Sequence, residues 1–314
     1  AEERNRGLVM SSTTMLQLVQ QVTNELGVST PTYVAGNTNQ DVVQILALMN
    51  ATGYELLRRA DWRQLTTQYQ FYTQYLTTTG NWTTSARTIT GIPSTAGLDN
   101  TYQVQGIGIG NATYIVSVDS PTQVTVNQDF TQAGGTDATV NFQKVKYDLP
   151  SDYDSIVPRT MWDKSKRWEL LGPEDAQQWE WLLSGYISTG PRIRWRLLGE
   201  TFQIWPGTST NELLSYEYRS KGWARSSTGT VQNSFTADTD TCIYPDRVMV
   251  LSTKLKYFQA KGFDTTALYR DYREELETAI AQNTSAANLS FAPRPGTVLI
   301  GYDNIPDSGY GNAP

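Results

Sequence analysis

The chain has 314 residues, of which 39% are hydrophobic and only 18% charged, and its formal net charge is −6. That length exceeds a usual single domain, and the negative balance argues against the chain as a whole being held on nucleic acid, without forbidding DNA from passing through an acidic channel. One cysteine, Cys242, and no histidine exclude a disulfide framework and any Ser-His-Asp or Cys-His mechanism within the chain, and no Asp-x-Asp-x-Asp-Gly run offers a calcium loop.

Residues 1–11 read as a flexible N-terminal extension. From Ser12, the residues Met15, Leu18, Val19, Val22 and Leu26 recur at helical spacing up to Gly27 and predict a first amphipathic helix. After a loop with Pro31 and Gly36, Asn39 caps a second helix on which Val42, Ile45, Leu46, Met49, Gly53, Leu56, Leu57 and Ala60 share one face. Glycine in mid-helix costs about 1 kcal/mol against alanine, so Gly53 predicts the close approach of another helix. Leu65 to Leu76, rich in Tyr, Phe and Thr, reads as a strand.

Over residues 80–142 charge almost vanishes and short β runs alternate with turns: Thr88–Thr90, Tyr102–Gln105, Thr113–Val118, Val124–Val126 and Thr139–Phe142. This stretch reads as a small all-β module inserted into its host. Gly106, Gly108 and Gly110 are wrongly spaced for a phosphate loop, and a strand follows where a helix would be needed.

Residues 147–185 hold four tryptophans, Trp162, Trp168, Trp179 and Trp181, which read as core or subunit-contact anchors. Pro173 and Gly185 bracket a short predicted helix. Beyond it, Ile193, Trp195 and Leu197 alternate with Arg192, Arg194 and Arg196, placing the arginines on one face of a strand. The arginine row is either a partner-facing or DNA-facing patch or, preferably, a set of pairs with Glu200, Glu217 or a neighbouring subunit. Thr201–Trp205 and Leu213–Arg219 continue an antiparallel meander. Pro245 opens a third helix that closes at Gly262, and Asp264 caps a fourth with Leu268, Tyr272, Leu276 and Ile280 on one stripe. The tail 285–314 reads as extended, with Val298, Leu299 and Ile300 able to add as a strand to another chain's sheet edge.

The expected fold is therefore α+β: a helical bundle built from two N-terminal and two C-terminal helices, a central antiparallel β-meander and an inserted all-β module. Its core comprises 12–79 and 143–284, with the module at 80–142. No apolar run approaches the roughly 18 residues of a membrane helix, so no membrane partner is expected. Asp148, Asp152, Asp154 and Glu180 raise the possibility of a glycosidase-like carboxyl pair, but aspartate beside Pro and Ser ordinarily shapes turns and caps. No catalytic, metal or cofactor residue is assigned, and the chain reads as a non-enzyme.

A series of motifs carries a resemblance: Asp61-Trp62, Leu149-Pro150-Ser151-Asp152-Tyr153, Trp162-Asp163, Trp168 ahead of Leu171-Gly172-Pro173, the Trp-rich short helix, Gly190-Pro191-Arg192, Ile204-Trp205-Pro206, Tyr216-Glu217-Tyr218, and a closing helix pair containing Lys261-Gly262. In this order they resemble the head-to-tail adaptor (connector, or neck) proteins of short-tailed, podovirus-type bacteriophages, over about 11–80 and 143–284. The resemblance implies a structural virion protein of the neck and tail, assembled in the bacterial host cytoplasm as a homo-oligomeric ring, typically of twelve copies. Such a ring sits beneath the portal protein and above the tail nozzle or tail tube, and continues the channel through which DNA passes during genome ejection without sequence-specific binding. The β module and the N-terminal extension depart from the plain pattern. Two further readings are a carbohydrate- or receptor-binding virion module, from the aromatic and Asn/Thr-rich insert, and a peptidoglycan hydrolase using Asp152, Asp154 and Glu180.

Overall fold

A computed structural model of the chain describes residues 13–186 and 192–283. The extension 1–11 and the tail 285–314, with Val298, Leu299 and Ile300, lie outside the described residues, as does Gly190-Pro191.

Helix α1 (Met15–Leu26) begins in a capping box. The Thr14 hydroxyl accepts from the Gln17 N–H, the Gln17 side chain accepts from the Thr14 N–H, and Gly27 at φ 70° ends the helix. Helix α2 (Gln40–Arg59) starts where the Asn39 side chain accepts from the Asp41 N–H. A short helix α3 (Ala176–Trp181) follows much later, and the last two are α4 (Asp246–Lys261) and α5 (Thr266–Asn283). Pro245 precedes α4 and left-handed Gly262 ends it, while Asp264 accepts from both the backbone N–H and the hydroxyl of Thr266.

The apolar faces of α1, α2, α4 and α5 share a core with residues that are not helical, among them Trp223, Phe235, Ile243 and Tyr244. Gly53 shows how: a Cβ there would lie 2.2 Å from ring carbons of Trp223. The neighbour that needs the bare backbone is thus a tryptophan indole, not another helix as expected. Tyr244 stacks on Trp223 at 6.1 Å and donates its hydroxyl to the Gly53 carbonyl at 3.2 Å.

The expectation of a helical bundle with a central meander is overturned. Strand and helix are present in about equal shares, 31% and about 30%, and the strands form several small antiparallel sheets. The meander fails at its third strand. Thr201–Trp205 pairs with Arg194–Leu198 on one side and Lys146–Asp148 on the other. Leu213–Ser220 joins a different sheet, pairing with Thr66–Tyr72 along one edge and with Trp162-Asp163 and Tyr153–Ile156 along the other. Pro206 has no N–H to continue the first ladder, and the loop after it is tied to Thr73 instead: Thr73 N–H donates to the Glu212 carbonyl at 2.8 Å, and Glu212 N–H donates to the Thr73 hydroxyl at 2.7 Å.

That same residue divides the strand predicted over Leu65–Leu76. Thr66–Tyr72 belongs to the sheet just described, whereas Tyr75–Trp82 pairs with Gly135–Lys144 and so belongs to the β module. Gly135–Lys144 also pairs with Tyr102–Gly106, and a second small sheet combines Thr88-Ile89, Gln123–Val126 and Ile115–Ser120. Trp82, Ile89, Val104, Val124, Phe130 and Phe142 fill the space between them. A third core joins the two central sheets through a stack in which Phe202 lies 5.5 Å from Trp195 and 5.0 Å from Tyr216.

The predicted helix from Pro173 to Gly185 is also corrected. Pro173 sits after a cis bond to Gly172. The helix opens at Asp175, whose carboxylate accepts from the Gln178 N–H at 2.7 Å, and after Trp181 the chain continues as one turn of π-helix, Leu182–Tyr186.

Gly53→Ala places a methyl group inside the Trp223 indole and is expected to cost about 1–3 kcal/mol through overpacking. Urea unfolding would show a lower midpoint at an unchanged slope; an unchanged midpoint would mean that Trp223 does not need the bare backbone.

Candidate interaction surface

The four tryptophans of the central segment divide between inside and outside for simple geometric reasons. Trp162 lies between Ser215 and Glu169 in the sheet and is half-buried. Trp168 belongs to the two-residue edge strand Trp168-Glu169 and remains 38% exposed. Trp179 and Trp181 are two positions apart on α3, so they point in nearly opposite directions. Trp179 is 4% exposed and packs with Ala112, Leu182 and Trp205, bringing the β module against the central sheet. Trp181, on the other side, is 50% exposed.

Two of the arginines are used within the chain, although not with the partners expected. Arg192 pairs with Glu169 at 3.2 Å and Arg194 with Glu174 at 2.7 Å, rather than with Glu200 or Glu217. Both pairs flank a parallel bridge in which Leu171 N–H donates to the Ile193 carbonyl and Trp195 N–H donates back to the Leu171 carbonyl, each at 3.0 Å. They therefore fasten the segment 169–174 to the strand Arg194–Leu198. The exposed Arg192 pair contributes at most about 1 kcal/mol. Arg196 is half-buried across from Gln203, and among the described residues it makes no ion pair.

The acidic residues considered for hydrolysis do not face one another across one cleft. Asp148 lines a cleft of about 420 Å3 with Glu200 and Lys221. Asp152 borders a second, of about 290 Å3, and accepts from the Tyr218 hydroxyl at 2.8 Å. Asp154 lies in a third, of about 470 Å3, beside Arg59 and the Arg219–Asp61 pair. Glu180 is exposed on α3. Of the aromatic rings of the β module that suggested sugar stacking, Trp82, Tyr102, Phe130 and Phe142 are in its interior and Tyr114 is half-buried.

An acidic cluster that sequence reasoning did not identify lies under the sheet. Asp163 is 3% exposed and accepts from the N–H groups of Ser165 and Lys166. Beside it the Glu212 side chain, 2% exposed, receives Lys166 Nζ at 2.7 Å and the Thr210 hydroxyl at 3.2 Å. Burial raises the Glu212 carboxyl above the ordinary carboxylate range; Lys166 opposes the shift and the neighbouring Asp163 reinforces it. Trp162-Asp163 was visible as a motif, but nothing in the spacing of Glu212 marks it as the partner. Both carboxyls are buried, so their ionisation bears on stability.

No protein-family model matches this chain, and no curated protein matches it.

The raised Glu212 carboxyl has a defined effect on stability. Below the ordinary carboxylate range both folded and unfolded chains hold the proton, and the stabilisation is fully present. Above that range the unfolded chain has lost a proton that the folded chain keeps, so stability falls as pH rises through the raised value. Glu212→Gln is expected to remove this component, measured as urea midpoints from about pH 4 to pH 8; the same slope in the variant would assign the pH dependence to another group.

Proposed function

We propose that this chain is a structural subunit of a bacteriophage neck, an adaptor that assembles with copies of itself into a ring between portal protein and tail nozzle or tube. The DNA channel runs through the ring and is lined without sequence-specific contacts. The order of the motifs from Asp61-Trp62 to Lys261-Gly262 supports the phage reading.

The observation that carries the assembly reading is the placement of tryptophan. Trp62, Trp195, Trp205 and Trp223 are fully buried, so the cores absorb these large side chains completely, yet Trp168 and Trp181 remain 38% and 50% exposed. A large exposed aromatic on a folded chain is the kind of side chain that anchors an interface, because its area is desolvated at little cost in side-chain entropy. Arg196, half-buried and outside any ion pair among the described residues, belongs to the same reading as a group that faces a partner.

Core and contact roles separate by mutation. Trp179→Ala is expected to lower stability by about 3–5 kcal/mol, whereas Trp181→Ala and Trp168→Ala should leave the unfolding midpoint nearly unchanged and reduce assembly. Native mass of the purified chain, images of the assembled particle and protein composition of purified virions provide the readouts. A chain that stays monomeric in every setting and is absent from virions would overturn the proposal.

A further inference from the structure

The strand Thr66–Tyr72 ends its sheet: Leu213–Ser220 pairs with one side of it, and the other side is the sheet's edge. Its register is unbroken from Thr66 opposite Arg219 to Tyr72 opposite Leu213, and its sequence, Thr-Thr-Gln-Tyr-Gln-Phe-Tyr, has no charge and no proline. Long, flat, uncharged edges pair readily with other chains, and proteins usually blunt them by shortness, charge, proline or a bulge. The same sheet shows such measures elsewhere. Trp168-Glu169 is only two residues long, and the pairing of Tyr153–Ile156 is interrupted by a register shift at Arg219/Ser220. Among the described residues, the outer edge beyond Thr66, whose N–H donates to the Arg63 carbonyl, makes no backbone hydrogen bond.

The end of α5 indicates what could reach this edge. The Asn283 side chain donates to the Asp61 carbonyl at 2.7 Å and accepts from the Arg63 N–H at 3.0 Å. The chain thus leaves the described fold beside the residues that lead into Thr66. Residues 284–314 follow, and they include the uncharged run Thr297–Ile300, in which three of the four residues are β-branched. The stretch from Asn283 to Thr297 spans up to about 45 Å when extended, against about 23 Å for a seven-residue strand, so it can pass beyond its own sheet.

We infer that the edge strand Thr66–Tyr72 receives the segment Thr297–Ile300 of a second copy of this chain as an added β-strand. Backbone bonds supply the pairing, and the uncharged side chains on both partners leave no ion to desolvate. The inference rests on the assembly reading only in requiring a second copy.

Cysteine cross-linking of the full chain tests it, because the sole native cysteine, Cys242, is buried. A Gln70→Cys chain is mixed under oxidising conditions with chains carrying Val298→Cys, Leu299→Cys or Ile300→Cys, one partner bearing a mass tag. The expected result is a heterodimeric cross-link whose yield alternates with period two along 298–300, as strand pairing requires. Val298→Pro in the cysteine-bearing tail is expected to reduce it about tenfold with the unfolding midpoint unchanged. Two results would overturn the inference: a disulfide confined to one chain in the doubly substituted protein, or yields that are flat across the three positions or absent. If native mass still reports a ring in the latter case, assembly stands and strand addition falls. Alternating cross-links in a chain that forms no ring would leave strand addition standing and remove the ring.

Discussion

A buried threonine hydroxyl fastens the point at which the chain crosses between the two β parts of the molecule. Thr73 is fully buried, and its Oγ1 donates to the Thr210 carbonyl at 3.1 Å while accepting from the Thr208 hydroxyl at 2.8 Å and from the Glu212 N–H at 2.7 Å. One donor and two acceptor sites are all that a threonine hydroxyl has, so the group is saturated. Here the chain leaves the sheet of Thr66–Tyr72 and enters the β module at Tyr75. The loop that fastens this crossing is also the one that sends Leu213–Ser220 to pair with Thr66–Tyr72 and buries Glu212 beside Asp163. Loss of the hydroxyl would leave a buried N–H and a second hydroxyl without partners, which costs more than the bonds themselves contribute.

The return passage is tied to the outgoing one. Tyr147 accepts from the Gln74 N–H at 3.2 Å and donates to the Lys144 carbonyl at 2.7 Å, and Lys144 N–H donates to the Gln74 carbonyl at 2.9 Å. Tyr102 donates to the Gln74 side chain at 2.5 Å from within the module. Burial of the Tyr147 ring pushes its phenol well above its ordinary value, so it stays protonated and keeps both roles. With Trp179 closing against Ala112 and Trp205 from the side, the module is seated on the central sheets by side chains from several segments rather than hung on two linkers.

The end of α1, the starts of α2 and α5 and both ends of α4 were legible in the sequence because their signals are local, whereas the ends predicted for α3 were not borne out. Gly27, Asn39, Pro245, Gly262 and Asp264 each act on backbone groups within a turn of themselves. Some strand positions were legible too, through β-branched and aromatic content, although Lys146–Asp148, Tyr153–Ile156 and Trp162-Asp163 were not, and strand partners were not. Nothing in Leu213–Ser220 distinguishes pairing with its neighbour Thr201–Trp205 from pairing with Thr66–Tyr72, because alternation specifies a face and not a partner. The break at Thr73-Gln74 contains neither glycine nor proline; bonds from a distant loop make it, and so it read as continuous strand. Asp163 and Glu212 meet for the same non-local reason. The opposite placement of Trp179 and Trp181 was, by contrast, available from the sequence, since residues two apart on a helix cannot share a face.

The low charge of the chain links its architecture to its surface. Charges serve a monomeric β protein as protection for its edges, and with 18% charged residues many of those here are engaged internally: Arg192 and Arg194 fasten a segment to a strand, Lys166 serves Glu212, and Arg247 and Lys254 both pair with Glu25 between α1 and α4. What is left for Thr66–Tyr72 is glutamine, threonine and aromatic rings, and for α3 an outward tryptophan. Under the proposed assembly such a surface would be covered. A permanent assembly achieves that without added charge: once every edge strand has a neighbour, the absence of lysine or glutamate on the edge lowers the desolvation cost of the contact.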